Sequence, residues 1–358
     1  PEPMAPAERS QALGRLQRIL STVGSPPVLE AGACAGPRSP PAAAKGKVVW
    51  LKAGRRGGRL FPRPEPDAAP HRGFLEIFWV EDVQDIPADT MVIVTTGTPI
   101  GGDVLAMAPK LKLVAVAFTG YDHVDLDACA ERGVMVANVP GYSTDATAEL
   151  VMGLVLSSLH RLPECDEIVR NGSWQGPPQE TVQSKVVGIV GTGKIGMRLA
   201  ELCRAFQVKR LLGFSLVQDP DFVSLRGEYV DSLAQLFLDS DIVCLCLPLT
   251  RKTDGLISQN LMKLLRPDSL LVNVGRGKVV DELALAELLR QQRFRAALDV
   301  YGIEPLPAEH PLRSVPQDQL LMTPHVGYQS RQSLARRFEL TMRNIRAFLA
   351  GEAMNAVH

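Results

Sequence analysis

A short apolar run, Val186-Val187-Gly188-Ile189-Val190, passes without a break into Gly191-Thr192-Gly193-Lys194-Ile195-Gly196 and then into a helical pattern. No other stretch constrains the fold as tightly. G-x-G-x-x-G between a strand and a helix is the phosphate turn of a doubly wound sheet. The first glycine permits the tight turn, the second lets a pyrophosphate approach the backbone, and the third lets the helix pack closely on the strand. The helix N-terminus adds unpaired amides and the positive end of its dipole. A structural glycine turn with no ligand is the competing reading, and the strand before and helix after weigh against it. The six residues from Gly191 to Gly196 are therefore expected to hold a dinucleotide.

Such a turn needs a parallel sheet around it, and the chain supplies two sets of strands. Runs at 186–190, 210–214, 241–247, 269–274, 296–300 and 320–323 alternate with helical stretches and make one complete doubly wound unit. Earlier runs at 48–51, 75–80, 91–95, 113–117 and 134–139 predict a second parallel sheet, also covered on both faces. Between the sets, residues 145–159 are apolar on nearly every side (Leu150, Val151, Leu154, Val155, Leu156), the pattern of a buried helix that joins two domains. A last helix is expected at 331–349, with Leu334, Phe338, Met342, Ile345 and Leu349 on one stripe. A chain of 358 residues exceeds what one core usually organises, in agreement with two domains.

Charge and composition narrow the partners. Lys plus Arg number 39, as do Asp plus Glu, so no net field draws the chain to nucleic acid or to an anionic membrane. No apolar stretch approaches the roughly 20 residues of a membrane helix. The six cysteines, Cys34, Cys129, Cys165, Cys203, Cys244 and Cys246, show no C-x-x-C pairing and read as reduced, mostly buried thiols. Residues 1–45 differ from the rest, being rich in Ala and Pro, and are expected to be a poorly ordered extension. Within them Leu13, Leu16, Leu20 and Val23 repeat at helical spacing beside Arg15 and Arg18, a pattern compatible with a mitochondrial or plastid presequence. Glu2, Glu8 and Glu30 count against that address, and the cytoplasm is the expected compartment. A basic segment at 53–73, rich in Gly and Pro, predicts an irregular first crossover.

Three positions beyond the glycine turn carry chemistry. Arg276 lies in Val272-Asn273-Val274-Gly275-Arg276-Gly277, Glu304 in Leu298-Asp299-Val300-Tyr301-Gly302-Ile303-Glu304-Pro305, and His325 in Thr323-Pro324-His325-Val326-Gly327. Each follows an apolar strand, and in an open parallel sheet the carboxyl ends of the strands face the ligand crevice. Singly, Arg276 reads as well as a surface ion-pair partner and His325 as a core histidine; together they make a cation, a carboxylate and an imidazole at one sheet edge. Cofactor choice is written at the end of the second strand, where a carboxylate would hold a ribose 2′-OH and an Arg a 2′-phosphate. Here that place reads Gly213-Phe214-Ser215-Leu216, with neither. Without a carboxylate to repel it a 2′-phosphate is tolerated and Ser215 can donate to it, so NADPH is favoured over NADH.

These segments resemble the D-isomer-specific 2-hydroxyacid dehydrogenases, in the family's order, over roughly 75–349. Phe118-Thr119-Gly120-Tyr121-Asp122 is similar to the loop whose amides hold the substrate carboxylate, and 138–144 to the turn before the joining helix. The similarity is greatest to the glyoxylate, hydroxypyruvate and glycerate branch. The fold it implies is α/β, two doubly wound parallel-sheet domains with a Rossmann NAD(P)-binding domain at 148–324 inserted into a flavodoxin-like substrate domain made of 46–147 and 325–358. It implies reduction of a small 2-oxo acid, with Arg276 binding its carboxylate and carbonyl oxygen, His325 as general acid, and Glu304 orienting the imidazole. Thr119 and Gly120 join Arg276 and His325 in binding substrate. Ser215, Pro248, Val274 and Asp299 join the glycine turn in binding cofactor, Asp299 at the nicotinamide carboxamide. No metal is required, because a guanidinium can polarise the carbonyl.

Two other readings share the fold: a nucleotide-sensing, corepressor-like scaffold without turnover, and a family dehydrogenase for D-lactate, phosphoglycerate or formate. Of the remaining candidates, Thr95-Thr96-Gly97-Thr98 reads as a turn, Asp122 as a structural cap and His123 as packing. A homodimer is expected, with the apolar helix near Val151 as its contact.

Overall fold

Aliphatic and β-branched residues dominate both sets of strands, and in each sheet every strand runs parallel to its neighbours. The structure, a computed structural model, describes residues 46–51 and 75–357. The extension at 1–45 and the whole of the basic segment at 53–73, to which an irregular crossover was assigned, lie outside the described residues. Thr144–Gly327 forms one unit, and the described residues before Thr144, with those after Gly327, form the other.

In the smaller unit the strands are β1 (Gly46–Leu51), β2 (Leu75–Val80), β3 (Thr90–Thr95), β4 (Leu113–Val116) and β5 (Met135–Ala137), in the order β2-β1-β3-β4-β5. This is the flavodoxin-like arrangement of a doubly wound sheet. Successive side chains point to opposite faces, so each strand feeds two cores. Val48, Trp50, Val92, Val94 and Leu113 pack with Met342 and Ile345 of the C-terminal helix Arg331–Leu349. Val49, Leu51, Ile93, Val114 and Val116 pack on the other face with Val104, Leu105 and Cys129. The last residues then run back against β5: Val357 N donates to Val136 O at 3.0 Å and Asn138 N to Asn355 O at 3.1 Å. Three amide side chains lock this corner. Asn355 Nδ2 donates to Asn344 Oδ1 (2.8 Å), Asn344 Nδ2 to Asn138 O (2.7 Å), and Asn138 Nδ2 to Thr119 O (2.7 Å).

The larger unit holds β6 (Val186–Val190), β7 (Arg210–Phe214), β8 (Gly227–Tyr229), β9 (Ile242–Leu245), β10 (Leu270–Asn273), β11 (Arg295–Leu298) and β12 (Leu320–Met322). Their order is β12-β11-β10-β9-β6-β7-β8, so the winding reverses between β6 and β9, where ligands of such sheets bind. The three-residue edge strand β8 was absent from the sequence expectation. The helix expected at 145–159 spans Thr144–Leu159. Val151 is 0% exposed and packs inside its own unit with Ala148, Val155, Leu199 and Val272, while Glu149 and Gly153 of the same helix are exposed.

The unit boundary after Gly327 has a local cause: the amides of Val326 and Gly327 both donate to Asp299, and Thr147 Oγ1 donates to Gly327 O at 3.2 Å, so the turn that carries His325 stays with the larger unit. Replacing Asn344 by Ala would remove the side chain that donates to the Asn138 carbonyl and accepts from the Asn355 side-chain amide. The expected result is destabilisation of the smaller unit by about 2–4 kcal/mol, from two buried hydrogen bonds lost, read as a lower urea midpoint with NAD(P)H affinity unchanged.

Candidate active site

The turn after β6 shows why its glycines are required. Gly191 sits at φ +94°, a left-handed conformation, with its amide donating to Phe214 O at 2.8 Å. A Cβ on Gly196 would fall 2.1 Å from Gly191 O, so only glycine lets the helix approach the strand this closely. At Gly193 the opposite holds: a Cβ would meet nothing within 4 Å. That open space lies at the N-cap of the twelve-residue helix Lys194–Ala205, which no side chain caps. Unpaired first-turn amides facing room fit a dinucleotide's diphosphate. Lys194 is exposed and Ile195 half-buried beside it.

Thr192, by contrast, is buried, and its hydroxyl lies 2.8 Å from Tyr229 OH, which also accepts from Asp219 N at 2.9 Å. The unexpected strand β8 thus fastens the phosphate turn through Tyr229. Ser215 is half-buried just past β7 and is followed by Leu216 and Val217, 88% and 78% exposed. Pro248 is exposed after β9, its carbonyl accepting from Thr253 Oγ1 at 2.6 Å, whereas the Val274 side chain is buried in the core.

Arg276, Glu304 and His325 follow the carboxyl ends of the adjacent strands β10, β11 and β12. The Arg276 turn is tied by Asn273, whose Nδ2 donates to Arg276 O (3.0 Å) and whose Oδ1 accepts from Gly275 N (3.1 Å). Arg276 Nη1 donates to Gly275 O at 2.8 Å. His325 Nδ1 lies 2.9 Å from Glu304 Oε2, with the two side chains 34% and 15% exposed. Glu304 Oε1 accepts from Tyr301 N at 2.9 Å, so the carboxylate bridges its own turn and the imidazole. Tyr301 OH in turn donates to Thr323 O at 3.0 Å. Burial and the carboxylates of Asp299 and Glu304 push the Tyr301 phenol up, which keeps its proton in place for that bond.

His325 occupies φ +54°, a left-handed backbone unusual for a non-glycine residue. Asp299 holds it there. Its buried carboxylate accepts from Thr323 Oγ1 (2.6 Å) and Val326 N (2.8 Å) through Oδ1, and from Gly327 N (2.9 Å) through Oδ2. Sequence reading linked Asp299 to the cofactor; the structure places its carboxylate in the turn that presents the imidazole.

In the smaller unit, two hydrogen bonds tie the exposed Thr119 in the loop after β4: Oγ1 donates to Val139 O (3.1 Å) and the carbonyl accepts from Asn138 Nδ2. Gly120 follows, half-buried. Behind the loop lies a residue that sequence reading missed. Arg337, 2% exposed, places its guanidinium carbon 5.0 Å from the Phe118 ring centre, 5.5 Å from Tyr328 and 6.0 Å from Tyr142. Such a stack of a cation on ring faces braces Phe118, the residue before Thr119. Thr95 closes the expected turn, its hydroxyl donating to Thr98 O at 3.1 Å. The helix Leu126–Glu131 is capped by Asp125, which accepts from Ala128 N.

Residues 152–327 match the model of the D-isomer specific 2-hydroxyacid dehydrogenase NAD binding domain. A glyoxylate reductase of Thermofilum pendens is 36% identical over 262 residues, 71% of this chain and 76% of that one. Two solved structures have the same architecture. A D-lactate dehydrogenase from Aquifex aeolicus, complexed with NAD and lactic acid, aligns with a TM-score of 0.75 at 27% identity, covering 85% of this chain and 96% of that chain. An NADPH-dependent glyoxylate/hydroxypyruvate reductase from Sinorhizobium meliloti, in complex with NADP and malonate, aligns with a TM-score of 0.76 at 26% identity, covering 88% and 97%. The chain belongs to the D-isomer specific 2-hydroxyacid dehydrogenase family, and its larger unit is the nicotinamide dinucleotide-binding domain. It is an oxidoreductase acting on the CH–OH group of donors.

The open space at Gly193 generates a specific test. Gly193→Ala should leave the thermal midpoint unchanged, because the added methyl meets no protein atom, yet weaken NAD(P)H binding in a fluorescence titration by about tenfold, roughly 1.4 kcal/mol. Unchanged affinity would place the diphosphate elsewhere.

Proposed function

We propose that the protein reduces a small 2-oxo acid with NAD(P)H, glyoxylate to glycolate and hydroxypyruvate to D-glycerate. The observation that carries this reading is the 2.9 Å pairing of His325 Nδ1 with Glu304 on the sheet edge that also carries Arg276. A reduced nicotinamide supplies the hydride that C2 of the oxo acid receives. The residues supply the rest. Arg276 binds the substrate carboxylate and carbonyl oxygen, polarises the C=O bond, and stabilises the negative charge that grows on oxygen. His325, held at Nδ1 by Glu304, gives that oxygen a proton from Nε2, leaving the hydroxy acid. Glu304 keeps the ring in plane and stabilises the imidazolium before transfer. Thr119 and Gly120 receive the substrate carboxylate through main-chain amides, which assigns the smaller unit to substrate. Asp299, Pro248 and Val274 complete the cofactor-binding set.

For the cofactor we favour NADPH: neither Ser215 nor Leu216, the residues directly after β7, is a carboxylate that would repel a 2′-phosphate, and the half-buried Ser215 can donate to one. We further propose a homodimer, supported by Leu162, Val169 and Trp174, large apolar side chains exposed on and just after the helix Leu162–Arg170; sedimentation at micromolar concentration tests it.

His325→Ala is expected to lower kcat by about 10²–10⁴-fold, the usual contribution of a general acid, while leaving NAD(P)H affinity intact. Arg276→Ala should raise KM for the oxo acid as well as lower kcat. Wild-type turnover by both variants on every 2-oxo acid tried would refute the assignment. In a parallel assay, kcat/KM should be higher with NADPH than with NADH; activity with NADH alone would reverse the cofactor assignment.

A further inference from the structure

A second carboxylate and imidazole stand behind the first. Glu282 opens the helix Glu282–Arg290, and its side chain is only 12% exposed. Its Oε1 accepts from Gly302 N at 2.8 Å. Its Oε2 lies 3.5 Å from Nε2 of His310, whose Nδ1 accepts from Leu312 N at 3.3 Å. A main-chain donor at Nδ1 requires a lone pair there, so the neutral ring carries its proton on Nε2, toward Glu282.

Gly302 lies inside the short turn that begins with Tyr301, whose amide holds Glu304, and ends at Glu304 itself. The same turn packs on the segment of Arg276: a Cβ on Gly277 would fall 1.9 Å from the Tyr301 carbonyl carbon. Two consecutive amides of this turn are therefore spoken for by two different carboxylates, Tyr301 N by Glu304 and Gly302 N by Glu282. The helix cap needs nothing from Glu282, since Asp281 accepts from Ala284 N at 3.0 Å.

We infer that Glu282 is a positioning residue for the reaction: by accepting from Gly302 N it fixes the turn that aims Glu304 at His325. This rests on the reading of Glu304 and His325 as the proton-donating pair. The function lies in the reach of one oxygen acceptor and not in charge. Burial pushes the Glu282 carboxyl up, so its neutral form is within easier access than for an exposed glutamate, and either form has an oxygen to offer the amide. The other titratable groups around it are His310, Glu304, Tyr301, Lys278, Asp254 and Asp281.

Two conservative variants separate reach from charge. Glu282→Gln keeps an acceptor at the same distance and removes the charge; Glu282→Asp keeps the charge and withdraws the acceptor by one methylene. The expected result is kcat within about threefold of wild type for Gln and lower by about tenfold or more for Asp, the scale of a sub-ångström misplacement. KM for glyoxylate and Kd for NADPH should stay within about twofold in both, because substrate and cofactor contacts are made by other residues. Wild-type kcat in the Asp variant, or equal losses in both, would overturn the inference. If His325→Ala itself kept wild-type turnover, the reading of the pair would fall, independently of how the Glu282 variants behave.

Discussion

The carboxylate of Asp299, 1% exposed at the end of β11, is the constraint around which the site is arranged. A buried carboxylate is tolerated only when hydrogen bonds replace its lost water. Here the three donors come from Thr323, Val326 and Gly327, which bracket His325. Satisfying the charge therefore curls the chain after β12 around the end of β11 and forces His325 into its left-handed backbone. Strain of this kind persists only where surrounding contacts over-determine it. Glu304 then needs to meet an imidazole whose position is already set, and its own turn is fixed through Tyr301 and Gly302.

The larger sheet makes this arrangement available. Parallel strands send all their carboxyl ends to one edge, so β6, β10, β11 and β12 deliver the phosphate turn, Arg276, Glu304 and His325 to the same side of the unit. Close approaches at Gly196 and Gly277 bring main chain onto main chain there, and the proposed chemistry falls to side chains such as Arg276 and His325. In the smaller unit a comparable economy links the C-terminal segment, through Asn355, Asn344 and Asn138, to the carbonyl of Thr119.

What was legible in the sequence follows from these physical features. Strands buried on both faces read as continuous apolar runs, so all but one were visible as such. β8 was not, because Gly227-Glu228-Tyr229 is three residues long and lies at an edge, where Glu228 pairs with Arg210 at 2.7 Å instead of entering a core. Arg276, Glu304 and His325 stood out because each follows a strand in a recognisable segment. The partners that hold them did not. Glu282 and Gly302 are twenty residues apart, and nothing local marks that helix-opening glutamate as an acceptor for a distant amide. Arg337 is one of several arginines on a long helix, and only the packing of Phe118, Tyr142 and Tyr328 distinguishes it from its solvated neighbours. The helix at 144–159 was legible in extent, since near-uniform apolarity signals burial.

In the proposed reaction the imidazole of His325 and the guanidinium of Arg276 present a 2-oxo acid to hydride from one face only. Chiral analysis of the glycerate formed from hydroxypyruvate by the purified wild-type protein with NADPH measures this. The D isomer alone is expected; L-glycerate or a racemic mixture would refute the proposed arrangement.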